Sequence, residues 1–295
     1  MSRNQNNLFA VLAILIIVTV GCVYRSARDS EPSNSPVSPI KAAETPAIST
    51  KENKKPDENK KIDKGDFIVE HLAVKNPRYN EIDRQIKEEK LLEKAADKLN
   101  RSLILPKDIF LRTKDCGEVN AYFDAAEQSV TVCYELMEHF YKVFRSDGLN
   151  DQKAYDKMFD AVRFAFLHEI GHALIEVYNL PITGNEEDAA DRCSSFINLT
   201  ELGEDGVNAV IAAADAFAIE SKNDTSGKRN LADEHLLQEQ RFYNSLCMLY
   251  GSDQKKYAYI TEESYLPKER AVRCPQEYER TVQSWSDLLR IWRKE

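Results

Sequence analysis

The sequence predicts an α+β domain, mostly helical, with one small antiparallel β-hairpin ahead of its central helices. Three observations predict it. Apolar residues recur at helical spacing over most of the chain beyond residue 65. A single stretch, residues 119–133, alternates as two paired strands, and no internal repeat is present.

The folded part is expected to span residues 65–295. Ahead of it, Leu8 to Val20 form an unbroken apolar run behind a polar start holding Arg3, the length of a signal-peptide core and short for a membrane span. The run ends at Gly21-Cys22, which resembles the lipobox of bacterial lipoproteins, with Thr19 where leucine is usual. Residues 1–22 are read as a signal and lipoprotein anchor with Cys22 lipidated; an uncleaved apolar anchor and a cleaved signal are the other readings. All three export the rest of the chain. Residues 23–64 are rich in Ser, Pro, Lys, Glu and Asn and nearly devoid of aromatics. They cannot bury enough apolar surface to offset ordering entropy, so a disordered tether is expected. The expected location is a bacterial envelope, attached to a membrane through the N-terminal lipid or anchor, with the domain outside the cytoplasm.

Within the domain, residues 80–100 place Ile82, Ile86, Leu91, Leu92, Ala95 and Leu99 at helical spacing, as one helix. Residues 103–117 start extended and are broken by Pro106. Val119–Phe123 and Ser129–Cys133 read as strands around a turn. A helix from Tyr134 to about Arg145 closes at Asp147-Gly148, and a long one from about Gln152 to Tyr178 ends at Asn179-Leu180-Pro181. Asn185 is a good N-cap for a helix running through Leu199. Further helices are expected over Val207–Ile219, over Asp233–Tyr250 closed by Gly251, and over Pro275–Trp292.

Five of the six cysteines fall in the domain. In an oxidising compartment an odd count implies pairs and one leftover thiol. Cys116 and Cys133 flank the hairpin and are paired; Cys247 and Cys274 bracket a helix end and a loop and are paired; Cys193 is left free on a helix. Five reduced core cysteines would instead require a cytosolic protein. The net charge of −9, without a Lys/Arg stripe, argues against nucleic acid as a partner.

His168-Glu169-Ile170-Gly171-His172 sits inside the long helical segment. Histidines four apart lie one above the other, about 6 Å along the axis, and can converge on one Zn²⁺ at about 2.0–2.1 Å each. Glu169, one residue round, reaches the metal's open side, where it can hold and deprotonate a water. The chain has only 5 histidines. Two buried core histidines would be the bland alternative, but it would strand the Glu169 carboxylate. A third ligand is needed, and Glu187 and Asp191 lie four apart on the next helix, with 14 residues between His172 and Glu187. Glu176 stacks linearly with both histidines and cannot complete a tetrahedral cap. Glu186 and Asp188 read as helix-dipole capping and point elsewhere once Glu187 and Asp191 face the metal; capping alone is also the competing reading of Glu187. His235 is the remaining histidine suited to donate to an oxyanion, with Tyr243 second, against the reading of a solvated helix face.

The Glu187-x-x-x-Asp191 spacing resembles that of gluzincin peptidases, which implies Glu187 as zinc ligand and Asp191 as the partner orienting His168. EVNAYF resembles the edge strand that thermolysin-like peptidases pair with an extended substrate, or it is an ordinary hairpin with Tyr122 or Phe123 in the core. HEIGHALIE, NEEDAAD, VNAYFD with VTVCYEL, EHLLQEQRFYN, CMLYGSD and LPKERAVRCPQEY, over roughly residues 70–292, together resemble an uncharacterised bacterial "putative metallopeptidase" family, a domain of unknown function. The resemblance implies a zincin-like fold and a gluzincin-like site at His168, Glu169, His172, Glu187 and Asp191, with His235 and Arg241 in a motif of unassigned role. The expected activity is zinc-dependent hydrolysis of peptide bonds in an unidentified peptide or protein. A zinc-binding envelope lipoprotein on the same scaffold, without turnover, is the rival from another class. Metal-dependent hydrolysis of a non-peptide envelope amide is a third reading.

Overall fold

A computed structural model describes residues 61–223 and 232–294. The apolar run, Gly21-Cys22 and most of the tether lie outside the described residues. Residues 61–64, assigned above to the tether, already belong to the fold. The Lys64 N–H donates to the Leu105 carbonyl at 2.8 Å, while Asp63 accepts from the Leu105 N–H at 3.0 Å and pairs with Lys294 at 2.6 Å. Composition hides such order because backbone groups and ion pairs, not apolar burial, supply it. Among the described residues no helix is long and apolar enough to cross a membrane.

The fold is α+β and mostly helical. Its strands are β1 (Phe67–Val69), β2 (Ile109–Lys114), β3 (Ala121–Asp124) and β4 (Ser129–Cys133), in the spatial order β1-β2-β4-β3. The hairpin is there: β3 runs antiparallel to β4, with Tyr122 opposite Thr131. The other two pairings are parallel, so the sheet is mixed rather than a lone antiparallel hairpin. A parallel pair needs a long crossover, and α1 (Asn80–Glu88) and α2 (Leu91–Ser102) provide one between β1 and β2. β1 is three residues long, too short for alternation to reveal it.

The one helix expected over 80–100 is these two, broken where Lys90 takes a left-handed φ of 53°. On a straight helix Ile86 and Leu92 would stand about 120° apart. The break lets both be buried.

The remaining long helices are α3 (Tyr134–Ser146), α4 (Asp151–Tyr178), α5 (Glu186–Glu201) and α6 (Gly203–Asn223). After them come α7 (Gln238–Ser252), two single turns, α8 (Tyr259–Glu262) and α9 (Lys268–Ala271), and α10 (Cys274–Leu289). α4 is the spine, packed between the sheet, α3, α5 and α6. Its Asn150 cap accepts from the Lys153 N–H at 2.9 Å, and Asn179 closes it in the left-handed region at φ 50°.

α7 departs from expectation at both ends. Residues 232–235 form a turn and bends, so His235 precedes the helix instead of starting it. Gly251 does not end it either. A Cβ there would lie 2.4 Å from the Cys274 carbonyl oxygen, so this glycine permits close packing of α7 on α10.

Disulfides join Cys116 to Cys133 and Cys247 to Cys274, and Cys193 is free and buried. Closing loops of 17 and 27 residues restricts the unfolded chain, which is worth about 3 kcal/mol each.

Candidate metal centre

The site forms where α5 crosses α4 at close range. A Cβ on Gly171 would lie 3.1 Å from both Ala190 Cα and Cys193 Cβ, so a glycine between the two histidines and an alanine opposite let the backbones approach. That approach brings the first turns of α5 over His168 and His172. Asn185 caps α5, accepting from the Glu187 N–H at 2.7 Å and the Asp188 N–H at 3.3 Å.

Three side-chain atoms converge. His168 Nε2 lies 3.0 Å from Glu187 Oε2 and 3.1 Å from His172 Nε2, and His172 Nε2 lies 3.4 Å from Glu187 Oε2. Ligands about 2.0–2.1 Å from a tetrahedral zinc stand about 3.3 Å from one another, close to this triangle. The far side of each imidazole faces a carboxylate. His168 Nδ1 donates to Asp191 Oδ1 at 2.8 Å, and His172 Nδ1 donates to Glu186 Oε1 at 2.8 Å. Carboxylates only accept, so the Nδ1 positions carry protons, and a metal that displaced the protons on the inner side would meet two neutral rings with Nε2 lone pairs turned inward. In that form two lone pairs and a carboxylate oxygen aim at one point and repel unless a cation, either protons or a metal ion, lies among them. The donor set therefore fits a divalent metal ion.

The electrostatics favour positive charge at the same point. Burial pulls the His168 imidazole down, but its bonds to Asp191 and Glu187 outweigh that and push it up to about 9. His172 is also raised, burial being overcome by Glu187 and Glu186. Burial would raise the Glu187 carboxyl, yet bonds from His168, His172 and His235 hold it far below the ordinary range. Partial burial would raise the Asp191 carboxyl too, yet Arg241 and His168 hold it low. Arg241 grips it with two hydrogen bonds, Nε to Oδ2 at 2.8 Å and a terminal nitrogen to Oδ1 at 2.7 Å, with the guanidinium 4.2 Å from the centre of the Phe217 ring. Glu169 is buried at the cleft wall, where burial raises its carboxyl against the pull of His168 and His172. Among the described residues it takes no hydrogen bond.

A family model described as "Putative metallopeptidase" matches residues 71–289. The chain belongs to this metallopeptidase family. No curated protein and no solved structure matches it. The matched span holds the whole cluster, from Asn120 at the cleft to Arg241.

In this family member a cleft of about 320 Å³ opens beside the three candidate ligands, lined by Asn120–Phe123, Ala125, Glu169, His172, Glu176 and Glu186. β3, an outer strand of the sheet, thus forms one wall, and Tyr122 and Phe123 are half-buried in it. His235 reaches in from the loop before α7. Its Nε2 is 2.9 Å from Glu187 Oε2, and its ring stacks on His168 at 5.8 Å with the side chain 47% exposed. Tyr243, the second candidate, lies against Phe242 and has no contact with the cluster among the described residues. A hollow of about 430 Å³ around Tyr79, Tyr134, Tyr141 and Tyr155 is larger but holds none of the converging groups. Cys116, Cys133 and Glu135 also approach one another, but the sulfurs are in a disulfide and Glu135 accepts from the Cys116 and Gly117 N–H groups.

Two contacts escaped the sequence. Glu186 does not point away; it binds the outer nitrogen of His172. Asp188 does turn aside, pairing with Arg192 at 2.7 Å. The partnership of Arg241 with Asp191 had a visible signal. Arg241 shares a face with Ser245 and Met248, both buried, and an arginine on a buried face needs a carboxylate.

Proposed function

We propose that this chain is a zinc-dependent peptidase that cuts peptide bonds in polypeptides outside the cytoplasm of a bacterial cell. Membership of the metallopeptidase family supports the class, and the convergence of three lone-pair donors beside a cleft that Glu169 also lines is the observation that carries the reading. His168, His172 and Glu187 hold the metal, while Asp191 and Glu186 fix the imidazole tautomers. Bound there, zinc supplies the Lewis acidity that polarises a carbonyl and brings a water's pKa towards about 7. β3 presents its free backbone edge to an extended substrate, so affinity comes from main-chain pairing. Glu169 takes the proton of the attacking water and delivers it to the departing amine as the C–N bond breaks. Its raised pKa suits both roles. His235 donates to the oxygen on which negative charge develops.

Zinc as the metal, rather than another divalent ion, is supported by the two-imidazole, one-carboxylate donor set. Elemental analysis should find one zinc per chain, most of it lost in His172→Ala and in Glu187→Ala. Full occupancy in Glu187→Ala would show that another group is the third ligand.

The envelope location rests on residues 1–22. Cys22→Ser is expected to abolish uptake of labelled lipid and to leave less protein in the membrane fraction. Unchanged partitioning would point to a plain apolar anchor.

A further inference from the structure

Among the described residues the carboxylates of Glu169, Glu176 and Glu186 line the cleft beside the candidate ligands, and no lysine or arginine does. Glu169 is buried and Glu186 has one oxygen on His172. Glu176 is different. It stands on α4 one turn beyond His172, is exposed, and among the described residues its carboxylate has no ion pair or hydrogen bond. An unpaired carboxylate on an open lip is otherwise a solvated surface group. Here it shares a concave, partly apolar wall with Ala121, Tyr122 and Phe123, where low-dielectric surroundings concentrate its field.

We infer that this cleft, taken as the peptidase site proposed above, selects polypeptides with a lysine or arginine about two residues from the bond to be cut, and that Glu176 is the selecting group. The register follows from two repeats. Four residues of helix rise about 6 Å from His172 to Glu176, and two residues of an extended peptide advance about 6.7 Å. A peptide lying along β3 with a carbonyl at the ligands therefore carries its second side chain past Glu176. Residues two apart on a strand share a face, so that side chain faces the same wall as the one at the cut. A long aliphatic stem crosses the apolar wall and places its cation on the carboxylate. Glu186, next to His172, adds attraction of the same sign.

The test uses the full-length, zinc-loaded chain carrying Glu169→Gln, so that bound peptide is not consumed. Two labelled extended octapeptides, identical except for lysines or glutamates at alternate positions, are titrated and followed by fluorescence anisotropy at low salt. The lysine peptide is expected to bind about tenfold more tightly, from an exposed ion pair on one side and like-charge repulsion on the other. Adding Glu176→Gln should shrink that ratio to about threefold or less, and Glu176→Lys should reverse it. Glu262→Gln, an exposed carboxylate on α8, should leave the ratio unchanged, because it alters net charge equally without touching the cleft. Equal binding of both peptides, or a preference that survives Glu176→Lys, overturns the inference. The peptidase reading is scored separately, by cleavage of the same peptides with the wild-type chain. Selective binding without any cutting would sink that reading and leave Glu176 as the selector of a binding cleft. Cutting at equal kcat/KM for both peptides would sink the selectivity and leave the peptidase.

Discussion

Glu169→Gln is expected to keep wild-type zinc content and thermal stability and to cleave an unstructured polypeptide at least about a hundredfold more slowly. The substitution preserves the size and hydrogen-bonding reach of the side chain and removes only the basic carboxylate. It leaves the triangle of His168, His172 and Glu187 as it is, with edges of 3.0, 3.1 and 3.4 Å. Loss of a general base costs about 10²–10⁴-fold in rate, and this residue is asked both to take a proton and to return it, so the upper end applies. The environment agrees with that demand. Burial raises the Glu169 carboxyl, which brings a proton acceptor closer to neutral pH than an exposed glutamate would be. Cleavage at the wild-type rate would remove Glu169 from the mechanism. A wild-type protein with zinc bound that cuts nothing in a broad peptide library would shift the assignment to the non-catalytic zinc-binding lipoprotein.

The clustering of the candidate ligands was legible in the sequence because it is written at helical spacing. His168 and His172 are four apart, as are Glu187 and Asp191, and helix geometry alone puts each pair on one face. What spacing cannot give is how the two helices meet. Gly171 against Ala190 decides that, and a glycine inside a helical pattern reads equally well as a weak point in the helix. The same ambiguity misled the reading of Gly251, where a packing contact looks like a stop signal.

Strand pairing was harder. The β3–β4 hairpin is local and its alternation shows, whereas β1 meets β2 across two helices and carries only three residues. Long-range parallel pairing leaves no mark within a short window of sequence. His235 illustrates a third limit. The run from Asp233 onward has helical composition, but the helix begins only at Gln238. The loop that remains is tied down by Asn185, whose side-chain amide donates to the Glu234 carbonyl at 2.8 Å, and this holds His235 beside Glu187. That bond links two segments 49 residues apart, beyond any local pattern.

Arg241→Met is expected to have the largest effect on stability of any single substitution at this site. The Asp191 side chain is only 16% exposed, and among the described residues Arg241 supplies two of the three hydrogen bonds to its carboxylate, His168 Nδ1 supplying the third. Removing one member of a buried ion pair costs about 3–5 kcal/mol, because the other charge is left without a partner. The cost here should fall near about 3 kcal/mol, since the His168 bond survives and Asp191 can take up a proton. The sign of the pH effect follows. Arg241 is the chief group lowering the Asp191 pKa against burial, so the stability that Asp191 contributes is present above its unfolded pKa and fades as pH falls towards its native one. Without Arg241 the native pKa rises and that contribution shrinks across the neutral and mildly acidic range. A protonated Asp191 also ceases to fix the His168 tautomer, so zinc affinity should drop about 10–100-fold, the usual cost of losing a partner that orients a ligand. Arg241→Lys keeps the charge but not the two-pronged grip and should fall between Met and wild type on both measures. Chemical denaturation and competitive zinc titration read the two effects independently. A Met variant as stable as wild type, with unchanged zinc affinity, would show that the Arg241–Asp191 pair neither holds the fold nor orients His168.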